Sequence, residues 1–438
     1  MDKTIENTRQ YLKNLFKNDK RAWVVAYSGG KDSTLVLQLV VELLHELDKS
    51  MYKPVYVLTT DTRVEAPNIK NYMIYSLKCV SRHADEYSLP LETILVKPRP
   101  EESFWGNLIG KGYPSPTRWF RWCTSKMKIK PARRVIDKIT KQYGSVILLL
   151  GTRKDESSSR KMRMEKRDYN EQKLNFHHEI PNALVASPIA EWTNQMVWDY
   201  LINNNPPPWG EKHDFMFDLY SQAAGGECPV IFDLNTPSCG GSRFGCWTCT
   251  VVKHDKSMEG FIAAGESEML PLSQFRNLLK NIREEEKYRL PYKRNQREGI
   301  GPFNYETRKM LLNSLLSIEK EINEELLDNS EIEYIQSIWN QDFDFENSAL
   351  KIAHSFGREV DMPKNSSFLI ELDQKYIEEF CKTYEVQQEL VGALLNLVYE
   401  KHENLDAWGA KTGLERDVGE LIEKAVEQIE NADLSHDH

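Results

Sequence analysis

Apolar and polar positions in this chain alternate in blocks. Tyr11, Leu12, Leu15 and Phe16 form a stripe at helical spacing, which predicts a lead-in helix over residues 1–22. A valine-rich run, Val24-Val25-Ala26-Tyr27, then ends in Ser28-Gly29-Gly30. Leu35, Val36, Leu37, Leu39 and Val40 follow at helical spacing, so a strand, a tight glycine turn and a helix from about Ser33 to Asp48 are expected. Pro54 to Thr60 reads as a second buried strand that ends at Asp61. A helix from about Pro67 to Tyr87, a third strand from Leu91 to Val96 and a fourth from Val146 to Leu150, ending at Gly151, complete the series. Strands alternating with helices predict right-handed crossovers, hence an α/β fold with a parallel twisted sheet flanked by helices. Such sheets bind ligands at the carboxyl ends of their strands. The Ser28–Ser33 turn, Asp61 and Gly151 should therefore face one crevice.

After Asp168 the pattern loosens. Asn175-Phe176-His177-His178 reads as a polar loop; its two histidines suggest a metal, but no third ligand lies nearby. A helix is expected from Thr193 to about Ile202, and Pro206-Pro207-Pro208 ends it. The chain is then rich in Gly, Pro and Cys as far as Val252. From Pro271 it reads as charged helices, broken at Gly299-Ile300-Gly301-Pro302, with acidic faces from Lys364 to the end. Three regions follow: an α/β domain over 1–202, a Cys-rich region over 203–302 and an acidic helical region over 303–438.

The 438 residues suffice for two or three domains, and ten Trp with nineteen Tyr argue against disorder. No run of about 18 apolar residues is present, so no membrane association is expected. The start, Met1-Asp2-Lys3-Thr4-Ile5-Glu6, lacks a signal-peptide pattern. Seven cysteines, an odd number, then suggest reduced thiols or metal ligands in the cytoplasm. The net charge of −9 conceals an asymmetry: Trp105 to Asp168 holds 17 Lys/Arg against 5 Asp/Glu, leaving −21 elsewhere. A basic island in an acidic chain suits an anionic substrate at one place and protein partners elsewhere.

The glycine turn carries the first chemistry. Gly29 and Gly30 allow a close backbone approach, and the helix that follows directs N–H groups and its dipole at an anion. Ser28, Ser33 and Thr34 add hydroxyls and Lys31 a charge, although the spacing is not that of GxxxxGK[ST]. Ser28-Gly29-Gly30-Lys31-Asp32-Ser33 resembles the pyrophosphate loop of the adenine-nucleotide α-hydrolase superfamily, which includes ATP pyrophosphatases, thiolation enzymes and phosphoadenylylsulfate reductases. Gly151-Thr152-Arg153-Lys154-Asp155-Glu156-Ser157, with Arg160, is similar to a GxRxxES pattern of the reductase branch. Arginines at a strand end are suited to phosphate.

Arg118-Trp119-Phe120-Arg121-Trp122-Cys123 interleaves arginines with rings, as nucleic-acid binding requires. Arg121 and Lys126 are expected to acidify Cys123, making it a candidate persulfide carrier. Cys228, Cys239, Cys246 and Cys249 have the spacing Cx10Cx6CxxC among glycines. Four thiolates would hold zinc or an iron–sulfur cluster, and spacing alone leaves both open. Cys79 and Cys381 sit in helical patterns and read as core residues.

Four stretches together resemble one family: Trp105 to Pro114, the Arg118–Cys123 run, Pro206 to Gly210, and Pro237 to Cys249. It is the DndC family, the sulfurtransferase of bacterial DNA phosphorothioation, and the resemblance covers roughly residues 20–315. It implies ATP and Mg2+ at Ser28 to Ser33, with Asp61 and Glu65 near nucleotide or metal, and Lys31, Asp32, Arg153 and Arg160 in catalysis. It implies a [4Fe-4S] cluster on Cys228, Cys239, Cys246 and Cys249, and DNA at Arg118, Arg121 and Lys126. Partners would be DNA, other Dnd-system proteins and a cysteine desulfurase. A phosphoadenylylsulfate reductase, a tRNA thiolase and a nucleotide-sensing scaffold are the rival readings.

Overall fold

A computed structural model of the chain describes residues 2–156, 158–166, 170–177, 179–210, 212–223, 245–293, 297–342, 344, 347–360, 371–388, 390–392, 394–395, 418–419 and 422–423. Two compact units divide it, the first comprising Met1–Phe104, Pro114–Pro291 and Glu321–Leu326. The segment after 203 thus belongs to the same unit as the strands, as far as Pro291.

The first unit begins with α1 (Asp2–Asn18), whose Leu12, Leu15 and Phe16 are buried as their spacing predicts. Then come β1 (Ala22–Ala26), α2 (Lys31–Glu46), β2 (Val55–Thr60), α3 (Pro67–Tyr87) and β3 (Leu91–Val96). After them run α4 (Lys130–Tyr143), β4 (Val146–Leu149), α5 (Ser158–Glu165), β5 (Asn175–Phe176) and β6 (Ala183–Ala186). Four helices follow: α6 (Asn194–Asn203), α7 (Asp214–Ala223), α8 (Lys256–Ala263) and α9 (Met269–Ile282).

The strands form one sheet in the order β3-β2-β1-β4-β6-β5. All neighbours are parallel except β5, which runs antiparallel to β6 at the edge. The sheet is therefore mixed at one margin, where an all-parallel sheet was expected. Asn175-Phe176, expected as loop, supplies that edge strand, and β6 was not legible because four short residues carry no period. In β1 the side chains of Ala22, Trp23, Val24 and Val25 are fully buried, as expected for a central strand covered on both faces. The chain moves from β1 outward to β3, then returns to pair β4 on the other side of β1. The carboxyl ends of β1, β2 and β4 are therefore adjacent, at a point where strand order reverses.

Helix α2 starts at Lys31, two residues earlier than its apolar spacing suggests, because extended Gly30 is its N-cap. Gln38 of α2 clasps the segment before α7: its Nε2 donates to Asn204 O (3.0 Å), and His213 Nε2 donates to its Oε1 (3.0 Å). Trp198 of α6 meets Tyr220 of α7 edge-on at 4.9 Å.

The second unit contains Trp105–Tyr113, Tyr292–Lys320 and Leu327–His438. Its helices are α10 (Tyr305–Ile322), α11 (Asn329–Gln341), α12 (Ser348–Ser355) and α13 (Glu371–Tyr384). Buried Arg308 donates to Ile109 O (2.9 Å), as does Trp339 Nε1 (3.1 Å), so the 105–113 segment is held by α10 and α11. Cys381 is buried, as read from the sequence. No helix among the described residues is long and apolar enough to cross a membrane.

Burial pushes His213 down from 6.5 to about 4. The unfolded chain binds this proton first on acidification, so stability is complete above pH 6.5 and falls as pH drops toward 4. The loss should reach about 3 kcal/mol. Urea unfolding at pH 7 and pH 4.5 should show it, and His213→Gln should remove that part of the slope.

Candidate functional site

The loop after β1 is stapled by its own serines. Ser33 Oγ donates to Gly30 O (2.8 Å), accepts from Ser28 N (3.2 Å) and meets Ser28 Oγ at 3.1 Å. Gly29 has φ +74°, which only glycine adopts without strain, and turns the chain into α2. Ser28 is exposed on the crevice side, whereas Thr34 is fully buried. Gly30 offers no capping side chain, so the first N–H groups of α2 look outward from the loop.

Asp32 is the electrostatic hub. Its Oδ2 accepts from Lys31 Nζ (3.1 Å) and its Oδ1 from Arg153 Nε (2.6 Å). Arg153 is only 3% exposed, and its guanidinium also reaches Asp155 (3.4 Å) and Trp192 O (3.3 Å). Expected at phosphate directly, Arg153 thus acts on the loop through Asp32. Gly151 is the reason the end of β4 can approach the start of α2. A Cβ there would lie 2.7 Å from the backbone C and O of Asp32 and 2.9 Å from Ser33 N. The backbone of Arg160 lies in α5, and its side chain falls outside the described residues.

Sequence reasoning missed two aromatics. The Lys31 ammonium lies 5.4 Å from the Tyr220 ring and 5.9 Å from the Trp198 ring, within cation–π range. The Tyr220 hydroxyl also accepts from Lys31 N–H at 3.3 Å. Trp198 belongs to the helix expected to end near Ile202, whereas Tyr220 lies on α7, in the stretch read only as rich in Gly, Pro and Cys; both are more than 160 residues downstream of the loop.

Beside the loop, the end of β2 leads into a turn that packs on the cysteine-bearing turn of Cys246 and Cys249. Asp61 is 1% exposed and accepts from Arg63 N (2.8 Å). Glu65, expected near the nucleotide or a metal, lies beside the cysteine turn: it accepts from Thr62 N (3.0 Å) and forms a backbone bridge with Cys246. Thr62 Oγ1 lies 3.6 Å from Cys246 Sγ, and Trp247 N donates to Val64 O (2.9 Å). Cys249 N donates to Cys246 O (3.0 Å), which closes the CxxC turn. Burial pushes the Cys246 thiol up to about 12, opposed by Lys128. Cys123 is also raised, by burial first and by Cys249 second. This corrects the expected acidification: Arg121 pulls in the predicted direction, but desolvation outweighs it. The ammonium of Lys128 interacts most strongly with Cys246, and also with Glu65, Cys123 and Cys249.

Three of the predicted cysteines therefore share one neighbourhood. Cys228 and Cys239 lie outside the described residues. Among the described residues, no group of three or more His, Cys, Asp or Glu could hold a metal ion. His177 Nδ1 accepts from the N–H groups of Glu179 and Ile180 (both 3.0 Å), so that nitrogen caps a turn; His178 is outside the described residues.

The arginine–aromatic run divides in two. Trp122 is buried, stacked on Phe104 at 5.3 Å, with Nε1 donating to Pro114 O (3.0 Å). Trp119 is 91% exposed between exposed Arg118 and Arg121, on a turn capped by Thr117 Oγ1. Lys126 is half-buried on the π-helical turn Thr124–Ile129. Thr250 Oγ1 and Arg283 Nη1 both donate to Pro116 O (2.7 and 2.8 Å), fastening the base of this run to the segment that follows Cys249 and to the end of α9.

The family model of the phosphoadenosine phosphosulfate reductase domain matches residues 22–252. Uncharacterized protein MJ0066 of Methanocaldococcus jannaschii is 29% identical over 210 residues, covering 47% of this chain and 37% of that protein. Uncharacterized protein MJ0973 of the same organism is 28% identical over 203 residues, covering 46% and 41%. The chain thus spans about two fifths of each relative's length. Among solved structures, a phosphoadenylyl-sulfate reductase of Candida auris in a phosphate complex aligns with TM-score 0.28 and 18% identity, over 45% of this chain and 79% of that one. An FMN adenylyltransferase of Candida glabrata with FMN and the ATP analog AMPCPP aligns with TM-score 0.28 and 13% identity, over 47% and 57%.

Gly151→Ala should press a methyl group into the Asp32–Ser33 backbone. The expected cost is about 1–3 kcal/mol of unfolding free energy, the usual penalty of overpacking. Chemical denaturation measures it, and an unchanged midpoint would mean that the end of β4 is not in contact with the start of α2.

Proposed function

The chain belongs to the phosphoadenosine phosphosulfate reductase domain family, and from that premise we propose an ATP-dependent sulfurtransferase that modifies the DNA backbone, as in bacterial phosphorothioation. One observation carries the reading. The segment from Asp61 to Glu65 leaves the strand end beside the phosphate loop and immediately packs on the CxxC turn of Cys246 and Cys249. Nucleotide-binding groups and sulfur-bearing groups are thus joined by five residues within one unit. The exposed Arg118-Trp119-Phe120-Arg121 turn, fastened to that same thiol segment, supports a nucleic-acid substrate.

In this reading Ser28, Gly29, Gly30 and Ser33 present the loop to the ATP phosphates, and Lys31 carries the charge. Asp32 and Arg153 hold Lys31 in place, with Gly151 allowing their approach and Arg160 adding charge. A non-bridging DNA phosphate oxygen attacks the α-phosphorus of ATP and pyrophosphate leaves. The terminal sulfur of a persulfide, supplied by a cysteine desulfurase, then attacks the DNA phosphorus and AMP leaves; a second thiol cleaves the resulting S–S bond to free the phosphorothioate, and the protein disulfide left behind is reduced by a cellular thiol. Positioning and electrostatic stabilisation do the work, as in phosphoryl transfer generally. Mg2+, when bound, supplies charge neutralisation on the phosphates. Arg118, Arg121 and Lys126 hold the DNA backbone, and other Dnd-system proteins complete the assembly.

The thiol set suits a soft metal centre. Cys246 and Cys249 share one turn, closed by the Cys249 N–H on Cys246 O, and with Cys228 and Cys239 they would supply the four thiolates of a [4Fe-4S] site. When bound, such a cluster supplies electron-transfer or sulfur-handling chemistry. Cys123 is then the free thiol beside it, placed to receive persulfide sulfur.

Two experiments test this reading. DNA from cells carrying the protein should yield phosphorothioate dinucleotides by mass spectrometry, and Lys31→Ala should abolish both these and pyrophosphate release. Wild-type-like pyrophosphate release from that variant would refute the loop assignment. Protein purified without oxygen should be brown and contain iron and acid-labile sulfide, lost on each of Cys228→Ser, Cys239→Ser, Cys246→Ser and Cys249→Ser but kept in Cys123→Ser. Stoichiometric zinc without iron would refute the cluster, and loss of the metal in Cys123→Ser would make Cys123 a ligand.

A further inference from the structure

The aromatic pair over the loop has no place in the reaction just described, yet it touches the groups on which that reaction depends. Tyr220 is buried in α7, and its hydroxyl accepts the N–H of Lys31, the first residue of α2. Gly30 provides no capping side chain, so this phenol oxygen sits where a cap, or a phosphate oxygen, would sit. The same hydroxyl is the nearest atom, at 3.4 Å, to the position a Cβ on Gly30 would take. It therefore fills the space above the loop. The ring beneath it, with that of Trp198, receives the Lys31 ammonium at 5.4 and 5.9 Å. One side chain thus engages both the backbone donor and the cation that the phosphate site requires.

We propose that Tyr220 is a positioning residue of the phosphate loop, whose hydroxyl stands in for a phosphate oxygen at Lys31 N–H and is displaced when a nucleotide polyphosphate binds. This rests on the nucleotide-binding reading above and extends it to a residue outside the loop. The contact is built to be exchanged. At 3.3 Å it lies beyond the usual range of an N–H···O bond, so a charged phosphate oxygen competes well for the donor. Meanwhile Asp32 and the two rings hold Lys31 close to its working position without a ligand.

The test is calorimetric binding of ATP with Mg2+ to the full chain, wild type and Tyr220→Phe. The variant keeps the ring under Lys31 and removes only the competing oxygen, so ATP should bind about two- to tenfold more tightly, the worth of one net hydrogen bond. Hydrogen exchange of the α7 peptide in the wild type should rise on adding ATP, as the helix loses its anchor. Weaker ATP binding by Tyr220→Phe would mean that the hydroxyl stays and donates to the phosphate, which overturns displacement. Equal affinity, or α7 exchange unchanged or slowed by ATP, overturns it as well. A wild type that binds neither ATP nor inorganic pyrophosphate would instead remove the nucleotide reading and this proposal with it.

Discussion

The Asp32 carboxylate, shared between Lys31 and Arg153, is the interaction on which the rest of the crevice depends. Arg153 is almost fully buried, and a guanidinium there is tolerable only with a close anionic partner and further acceptors, which Asp32 and Trp192 O provide. The pair ties the end of β4 to the start of α2 across the centre of the sheet. Gly151 makes that tie sterically possible, because its missing side chain lets the two backbones approach. Removing Asp32 would leave buried Arg153 with only the longer contact to half-exposed Asp155 and Lys31 with no carboxylate, so this contact fixes where Lys31 can be.

The thiol neighbourhood obeys a different constraint. Its cysteines are desolvated, so as free thiols Cys123 and Cys246 resist ionisation despite Arg121 and Lys128 nearby. Thiols of this kind are poor nucleophiles until a metal or a reaction partner takes the proton. Lys128 is the cation best placed to compensate a thiolate once it forms, since Cys246 dominates its own electrostatic surroundings.

Much of this was legible in the sequence where local rules suffice. The central strands, the loop and the approach of Gly151 to it followed from apolar runs ending in Gly or Asp. What escaped depends on tertiary contacts. Tyr220 and Trp198 look like ordinary core aromatics, because nothing local to α6 or α7 marks them as neighbours of a lysine near residue 30. The acidification expected at Cys123 counted adjacent charges but not burial, which only the fold reveals. Edge strand β5, two residues long, owes its existence to β6 rather than to its own sequence.

The strand order also sets when the crevice comes into being during synthesis. The loop emerges first and can form its serine staples from residues 28–33 alone. Its anchor on β4 arrives more than a hundred residues later, and the rings over Lys31 later still. Between those moments a nascent chain carries the Lys31–Asp32 pair without the buried arginine that anchors it or the rings that cover it. Domains built during synthesis pass through such partial states as a matter of course, and long-range contacts form last. A ribosome-bound chain shorter than about residue 220 therefore has the loop but not the aromatic contacts that hold Lys31 in the finished fold.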